Sequence, residues 1–86
     1  MGSLLEGKVC IVTGSARGIG QEIATLFAEE GGQIIVNDAR EGAADDWIAE
    51  STLKDRLDAM YFDITDPEAV RKNVMSIKKK YGHIDV

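Results

Sequence analysis

The chain has little of what several common kinds of small protein require. One cysteine among 86 residues excludes an internal disulfide, and with no Cys or His cluster beside it a zinc site is not expected. No apolar run approaches the ~20 residues of a membrane span, and residues 1–8 lack the basic flank and apolar core of a signal peptide. A formal net charge of −5 disfavours binding to nucleic acid, whose phosphates require a basic face. We therefore expect a cytoplasmic protein that binds neither membranes nor nucleic acid.

The length and composition indicate one small globular domain. A hydrophobic content of 44% and a charged content of 29% are ordinary for a folded chain. At 86 residues the core is thin, because a chain of this size buries only about two-thirds of its unfolded surface. Cys10 lies between Val9 and Ile11 in an apolar run, so we expect a buried structural thiol.

Short apolar runs alternate with helical patterns along the chain. Continuous runs predict strands over residues 8–13, 33–38 and 57–62, covered on both faces. The first helix opens near Gly18, and Gly31 and Gly32 stop it. Its large apolar side chains share one face: Ile19, Ile23, Leu26 and Phe27. A weaker helix is predicted over residues 41–53.

The last third of the chain predicts a third helix and the beginning of a fourth strand. Thr65 and Glu68 have the spacing of a capping box, with Pro67 in the first turn. The helix extends to about residue 81, and Gly82 ends it. Ile84, Asp85 and Val86 begin a fourth strand. Strands alternating with helices in this way predict an α/β fold, the first part of a doubly wound parallel sheet in a single domain, 1–86.

A glycine-rich turn, TGSARGIG at residues 13–20, joins the first strand to the first helix. Gly14, Gly18 and Gly20 remove the Cβ atoms that would block the tight turn, the ligand and helix–strand packing respectively. A helix that begins there directs unpaired amides and its positive dipole end at an anion. The position within a β-α-β unit favours a dinucleotide pyrophosphate, with a purely structural turn as the alternative.

Two acidic residues follow the second and third strands. Asp38 comes about 20 residues past the glycine turn, where a carboxylate hydrogen-bonds the ribose hydroxyls of NAD and repels the extra phosphate of NADP. A solvated aspartate is the alternative, and Arg17 or Arg40 offers a cation for the 2′-phosphate. We predict NAD, with NADP second. Asp63, followed by Ile64, suits the adenine amino group, but it is equally an aspartate preceding a helix cap.

Together these residues resemble the N-terminal part of a short-chain dehydrogenase/reductase, in the branch of the 3-oxoacyl-carrier-protein reductases. The motif T-G-x-x-x-G-x-G matches residues 13–20, and Asp38 and Asp63 match the acidic positions of the family. The resemblance implies a Rossmann fold and hydride transfer between a nicotinamide cofactor and an alcohol or ketone. It places these residues around the phosphates and inner riboses: Gly14, Ser15, Arg17, Gly18, Ile19 and Gly20. It also makes the adenine role of Asp63 and Ile64 the favoured one.

The catalytic half of that family is not expected in this chain. In that family the Asn-Asn-Ala-Gly segment, the catalytic serine and the Tyr-x-x-x-Lys pair lie beyond the position of Val86. Neither Tyr61 nor Tyr81 replaces the pair, because Thr65 and Asp85 stand four residues later instead of a lysine. Lys78, Lys79 and Lys80 predict a solvated helix face, and His83 a surface turn. We predict no catalytic residue and no metal ligand. The alternative function is a stand-alone nucleotide-binding or interaction module without catalysis.

The resemblance also has a consequence for the sheet edge. In the family's strand order, 3-2-1-4, the first strand pairs with the fourth, of which only three residues are expected here. An apolar first strand that lacks a full neighbour favours pairing with another chain. We therefore expect self-association through this edge.

Overall fold

Three parallel strands form the centre of the molecule in the computed structural model, which describes residues 3–86. They are β1 (Val9–Val12), β2 (Gln33–Asp38) and β3 (Leu57–Tyr61), in the order β1-β2-β3. The helices are α1 (Gly18–Glu29), α2 (Asp45–Glu50) and α3 (Pro67–Tyr81), with a 3-10 turn at Lys54–Arg56. The α/β fold predicted from the alternation is confirmed. Met1 and Gly2, which belong to the predicted domain 1–86 and to the segment tested for a signal peptide, lie outside the described residues.

Helices cover both faces of the sheet, and side chains alternate between the two resulting cores. Cys10, Ile34 and Val36 pack with Ala24 and Ala28 of α1 on one face. Val9 and Ile35 pack with Ile77 of α3 on the other. The central strand β2 is the most deeply buried, with every residue after Gln33 inaccessible or nearly so. Burial on both faces explains why these strands read as unbroken apolar runs. Cys10 is buried and free, as predicted.

The apolar face predicted for α1 is only partly buried. The residues that meet the sheet are the small ones, Ala24 and Ala28. Ile19 and Leu26 remain 77% and 58% exposed, whereas Phe27 packs against the core. Small side chains let the helix axis approach the sheet closely, so the larger aliphatic residues on its flank have no sheet residue to contact.

The second helix is shorter than predicted, Asp45–Glu50 instead of residues 41–53. Gly42 has a φ of +77°, a left-handed conformation that interrupts a helix before Asp45. At the other end Ser51 is extended, and its hydroxyl oxygen accepts a hydrogen bond from the Leu53 amide at 3.0 Å. The periodicity was helical, but local glycine and serine chemistry sets the boundaries.

The capping box predicted at Thr65 is wrong. Asp66 is the N-cap of α3, and its carboxylate accepts from the amides of Glu68 and Ala69 at 3.1 and 3.3 Å. Thr65 instead donates its hydroxyl to Asp63 Oδ1 at 2.7 Å. Because Pro67 occupies the first helical position, the residue directly before it takes the extended conformation that an N-cap needs. Gly82 ends the helix with a φ of +89°, as predicted.

Residues 84–86 lie along the free edge of β1 where the fourth strand was predicted. They are not assigned as a strand, but the Ile11 amide donates to Val86 O at 2.9 Å and the Asp85 amide donates to Val9 O at 2.8 Å. The Asp85 carboxylate adds a bond from the Val9 amide at 2.8 Å. The direction of the chain is therefore that of a fourth strand beside the first.

Candidate cofactor-binding site

The glycine turn connects the carboxyl end of β1 to the start of α1. Gly14 and Gly18 both have a φ of +62°, and a Cβ on either would meet no atom within 4 Å. These two glycines therefore provide left-handed backbone beside open space. Gly20 differs, because a Cβ there would come within 2.4 Å of the Gly14 carbonyl oxygen. Backbone atoms of the turn thus pack directly against Gly20, whereas the space beside Gly14 and Gly18 is open.

The first turn of α1 faces this open space with its amides uncapped by side chains. Arg17 is the N-cap residue, extended and exposed, and it makes no side-chain cap bond. None of the described residues in this first turn of α1 is acidic. Ile19 projects from it and is exposed. The positive end of the helix dipole is thus available to an anion.

Ser15 holds the turn against the sheet. Its hydroxyl is fully buried, donates to Val12 O at 2.6 Å and accepts from the Asn37 amide at 3.1 Å. The Ser15 amide also donates to Asn37 O at 2.9 Å. The Ser15 hydroxyl therefore ties β1 to β2, with its donor and one acceptor position used within the protein.

Asn37 extends the same network to β3. Its side-chain amide is buried and donates to the carbonyl oxygens of Met60 and Phe62, both at 3.1 Å. The carboxyl ends of the three strands are consequently fixed relative to one another. Sequence reasoning missed Asn37, although a polar residue that directly follows Ile34, Ile35 and Val36 in a buried strand was a usable signal.

Trp47 of α2 also supports the glycine turn. Its indole Nε1 donates to the carbonyl oxygen of the buried Ala16 at 2.9 Å. The start of α2 is in turn held by Tyr61, whose hydroxyl accepts from the Ala44 amide at 2.8 Å and donates to Asp45 Oδ1 at 2.7 Å. Burial, followed by the Asp45 carboxylate, raises the pKa of Tyr61. The sequence indicated neither the bond of Trp47 to the turn nor the bonds of Tyr61 to the start of α2.

Asp38 lies at the carboxyl end of β2 and is largely buried, with its side chain 12% exposed. Its Oδ1 accepts from the Arg40 amide and from Arg40 Nε, both at 3.1 Å, and its Oδ2 accepts from Arg40 Nη2 at 3.3 Å. The Arg40 guanidinium, followed by the Arg40 amide, lowers the pKa of this carboxyl group. Asp38 is therefore an anion at the same sheet edge as the glycine turn, and Arg40 is bound to it.

Asp63 and Ile64 follow β3 at this edge. Both are exposed, and Asp63 Oδ1 accepts from the Thr65 amide at 2.8 Å and from the Thr65 hydroxyl. These bonds lower the pKa of Asp63. The Phe62 amide donates to Asp38 O at 3.1 Å, so the end of β3 is joined directly to the residue at the end of β2. The structure thus brings the glycine turn, Asp38 and the Asp63–Ile64 pair to one edge of the sheet, where open α/β sheets bind their ligands.

The remaining polar candidates lie away from that edge. His83 Nδ1 is 2.6 Å from Asp85 Oδ2, beside Val9 at the amino end of β1. Lys78, Lys79 and Lys80 are exposed on α3, as predicted, and Lys80 Nζ contacts Asp58 at 2.9 Å. Across residues 3–86 no group of three His, Cys, Asp or Glu side chains is arranged to hold a metal ion. In the same part of the chain, no helix has the length and apolar character needed to cross a membrane.

Comparison with known proteins agrees with this geometry. Residues 8–86 match the family model for short chain dehydrogenases. The chain belongs to the short-chain dehydrogenase family. Membership implies a nicotinamide dinucleotide as cofactor, and it accounts for the Rossmann-like sheet with its glycine turn.

Individual relatives share the fold and a substantial part of the sequence. The chain is 39% identical over 83 residues to the 3-oxoacyl-(acyl-carrier-protein) reductase FabG of Thermotoga maritima, covering 95% of this chain and 34% of that protein. It is 40% identical over 82 residues to the NAD-dependent glycerol dehydrogenase of Listeria innocua, covering 95% of this chain and 32% of that protein. The crystal structure of hydroxysteroid dehydrogenase from Escherichia coli superimposes with a TM-score of 0.83 at 32% identity, covering 94% of this chain and 34% of that one. The chain spans about a third of the length of the curated relatives it matches.

Proposed function

We propose that this chain is the dinucleotide-binding part of a short-chain oxidoreductase, which transfers hydride between a nicotinamide cofactor and an alcohol or ketone. The observation that carries the proposal is the single sheet edge at which an open glycine turn, an uncapped helix terminus and the Asp38 carboxylate meet. The names of the relatives support the reaction class, since they include reductases and dehydrogenases of several substrates.

The pyrophosphate fits the glycine turn. The missing Cβ atoms of Gly14 and Gly18 let phosphate oxygens approach the backbone, and the first turn of α1 presents amides and a positive dipole end. Arg17 is exposed at the same terminus, where its guanidinium adds positive charge. Ser15 and Trp47 hold the turn from behind, so the backbone amides are already oriented before a ligand arrives.

The adenosine end fits Asp38, Asp63 and Ile64. A carboxylate at the end of β2 accepts hydrogen bonds from the ribose hydroxyls and repels a 2′-phosphate, which favours NAD over NADP. Asp63 supplies an acceptor for the adenine amino group, and the exposed side chain of Ile64 supplies an apolar contact for the ring. The Asp63 carboxyl is held in place by Thr65, which leaves its second oxygen for the base.

The proposal assigns no catalytic role to the residues described. Bound NAD accepts a hydride and NADH donates one, and the part played by this chain is to bind and orient the dinucleotide. A tyrosine that transfers a proton near neutral pH needs a lowered pKa. Tyr61 and Tyr81 have raised pKa values, in both cases mainly through burial and then through a carboxylate, Asp45 and Asp58 respectively. Their hydroxyls serve structural bonds, so in this proposal catalysis depends on other residues.

Calorimetric titration of the 86-residue chain with NAD, NADP and ADP-ribose tests the proposal. We expect binding of ADP-ribose and NAD, with NADP weaker. Asp38→Ala removes the ribose carboxylate and should weaken NAD binding by about tenfold or more, the equivalent of a charged hydrogen bond. Asp55→Ala is the matched control, because Asp55 is an exposed carboxylate in the 3-10 turn outside the site. Absence of binding by all three nucleotides contradicts the proposal.

The free edge of β1 supports a second part of the proposal, that the isolated chain self-associates. Along β1, the contacts of Asp85 and Val86 reach Val9 and Ile11, and within residues 3–86 no edge hydrogen bond to residues 84–86 continues as far as Thr13. An edge of this kind accepts a strand from another molecule. Sedimentation velocity over a range of concentrations should show a dimer or larger species, and a monomer at every concentration would contradict the expectation.

A further inference from the structure

Arg40 is hydrogen-bonded to the Asp38 carboxylate, the group that the proposed function assigns to the ribose. Three donors from this one residue reach Asp38: its amide and Nε on Oδ1 at 3.1 Å, and Nη2 on Oδ2 at 3.3 Å. The two residues are separated only by Ala39, and the paired groups differ sharply in exposure. The Asp38 side chain is 12% exposed, whereas that of Arg40 is 51% exposed. The guanidinium therefore lies over the solvent side of a nearly buried carboxylate.

The pairing limits what Asp38 can offer to a sugar. Each carboxylate oxygen has about two acceptor positions. The two Arg40 donors fill those of Oδ1, so Oδ2, with its one longer bond, is the oxygen left for a ribose hydroxyl. A carboxylate free of Arg40 would have room for both hydroxyls of the ribose. Arg40 thus holds Asp38 in one orientation and reduces the number of bonds available to NAD.

The pairing also changes the electrostatics at the position of a 2′-phosphate. Asp38 alone would place a negative charge beside the phosphate and penalise NADP. With the guanidinium next to it, the pair is close to neutral, and the half-exposed Arg40 is the nearest described cation to that carboxylate. A phosphate that approaches the pair meets both a repelling and an attracting group.

We propose that Arg40 determines cofactor specificity by holding and partly neutralising Asp38, so that the site discriminates only weakly against NADP. The inference rests on the proposed function, since it concerns the ribose end of the same site. Removing the guanidinium makes the site more selective for NAD. Removing the carboxylate instead releases the guanidinium to the 2′-phosphate and reverses the preference.

Three variants separate these effects: Arg40→Met, which keeps the aliphatic stem, Asp38→Asn, and the two combined. The measured quantity is the ratio of the NADP to the NAD dissociation constant, obtained by calorimetry on the 86-residue chain at low ionic strength. We expect Arg40→Met to raise this ratio by about tenfold and Asp38→Asn to lower it by at least as much. In the double variant the ratio should return toward one, because neither charge remains. Arg71→Met, which removes an exposed cation from α3, is the matched control and should leave the ratio unchanged.

The outcomes distinguish this inference from the function on which it rests. Titration of the unsubstituted chain with ADP-ribose tests the function, and if it binds none of the nucleotides, both proposals are wrong. If it binds them and Arg40→Met leaves the ratio within about twofold of the original value, the inference alone is overturned. Far-ultraviolet circular dichroism checks that each variant is folded. Should Arg40→Met fail to fold, Arg40→Gln carries the same expectation, because it also removes the charge and the paired donors of the guanidinium.

Discussion

Gly20 lies against Gly14 so closely that a methyl group on its α-carbon would come within 2.4 Å of the Gly14 carbonyl oxygen and 2.8 Å of the Ser15 α-carbon. The obstacle is backbone, which cannot rotate away like the end of a flexible side chain. The contact joins the first turn of α1 to the end of β1. The shape of the turn that faces the ligand is therefore fixed by a glycine that does not itself face the ligand.

Gly20→Ala should distort the turn and impair both stability and nucleotide binding. We expect a loss of about 2 kcal/mol in the free energy of unfolding, in the range for forced overpacking, together with weaker binding of ADP-ribose. Urea denaturation and calorimetry measure the two effects. Gly82→Ala is the matched control, because Gly82 has a φ of +89° but open space around it. That variant should lose about 1 kcal/mol through backbone strain while binding the nucleotide normally. Equal binding by both variants would contradict the role given to Gly20.

The sequence was sufficient to locate this turn because its information is local. A strand, a glycine pattern and a helix follow one another within residues 9–29, so spacing alone identified the three glycines and the positive helix end. The position of Asp38 followed from the same logic, since parallel strands end at a common edge. That Arg40 binds Asp38 did not follow, because both residues were read as separate candidates for the ribose end.

Trp47→Phe should loosen the turn from its far side. The substitution keeps an aromatic ring in the core but removes the Nε1 donor to Ala16 O, at a cost of about 1 kcal/mol in unfolding free energy. Because Ala16 is part of the turn, we also expect ADP-ribose to bind less tightly. Tyr61→Phe provides the comparison, since it removes the hydroxyl that bonds Ala44 and Asp45 without touching the turn. A similar loss of stability with unchanged binding is expected there. If Trp47→Phe also leaves binding unchanged, Trp47 has no positioning role.

The contact between Trp47 and Ala16 could not be predicted from the sequence, and the reason is physical. Thirty-one positions separate Trp47 from Ala16, and no periodicity relates them. Their contact depends on how α2 lies over the sheet, and the α2 bounds were themselves set by Gly42 and Ser51 and not by the helical pattern. Periodicity predicted that a helix exists in this segment, but its packing depends on the tertiary structure.

Asp66→Ala should destabilise α3 more than Thr65→Ala does. Asp66 accepts from two otherwise unpaired amides of the first turn, and loss of such an N-cap costs about 1 kcal/mol. Thr65 only bonds Asp63 on the surface, so its truncation should cost a few tenths of a kcal/mol. Thermal or urea unfolding of the two variants compares them directly. A larger loss of stability in Thr65→Ala than in Asp66→Ala would instead support the capping box that the spacing of Thr65 and Glu68 predicted. Both residues are plausible caps by type, and the extended backbone before Pro67 decides between them.

Acid should weaken the attachment of residues 84–86 to β1. The Val9 amide and, less strongly, His83 lower the pKa of Asp85. A carboxyl group whose pKa is lowered by folding stabilises the native state above its unfolded value of about 3.9, and this contribution is lost as the pH falls through the folded value. Asp38 and Asp63 have pKa values lowered in the same direction, so the whole chain should lose stability on acidification.

Asp85→Asn isolates the contribution of this one carboxylate. The variant should be less stable than the original chain at pH 7. The difference should begin to shrink as the pH falls below the unfolded value of about 3.9 and disappear below the lowered pKa of folded Asp85, where the original side chain is neutral too. The urea denaturation midpoints of the variant and the original chain, measured at several pH values between these limits, give this difference in stability. Asp55→Asn, outside this network in the 3-10 turn, should keep the full acid dependence of the original chain. A constant difference between Asp85→Asn and the original chain at every pH would show that the side-chain charge does not hold this segment to β1.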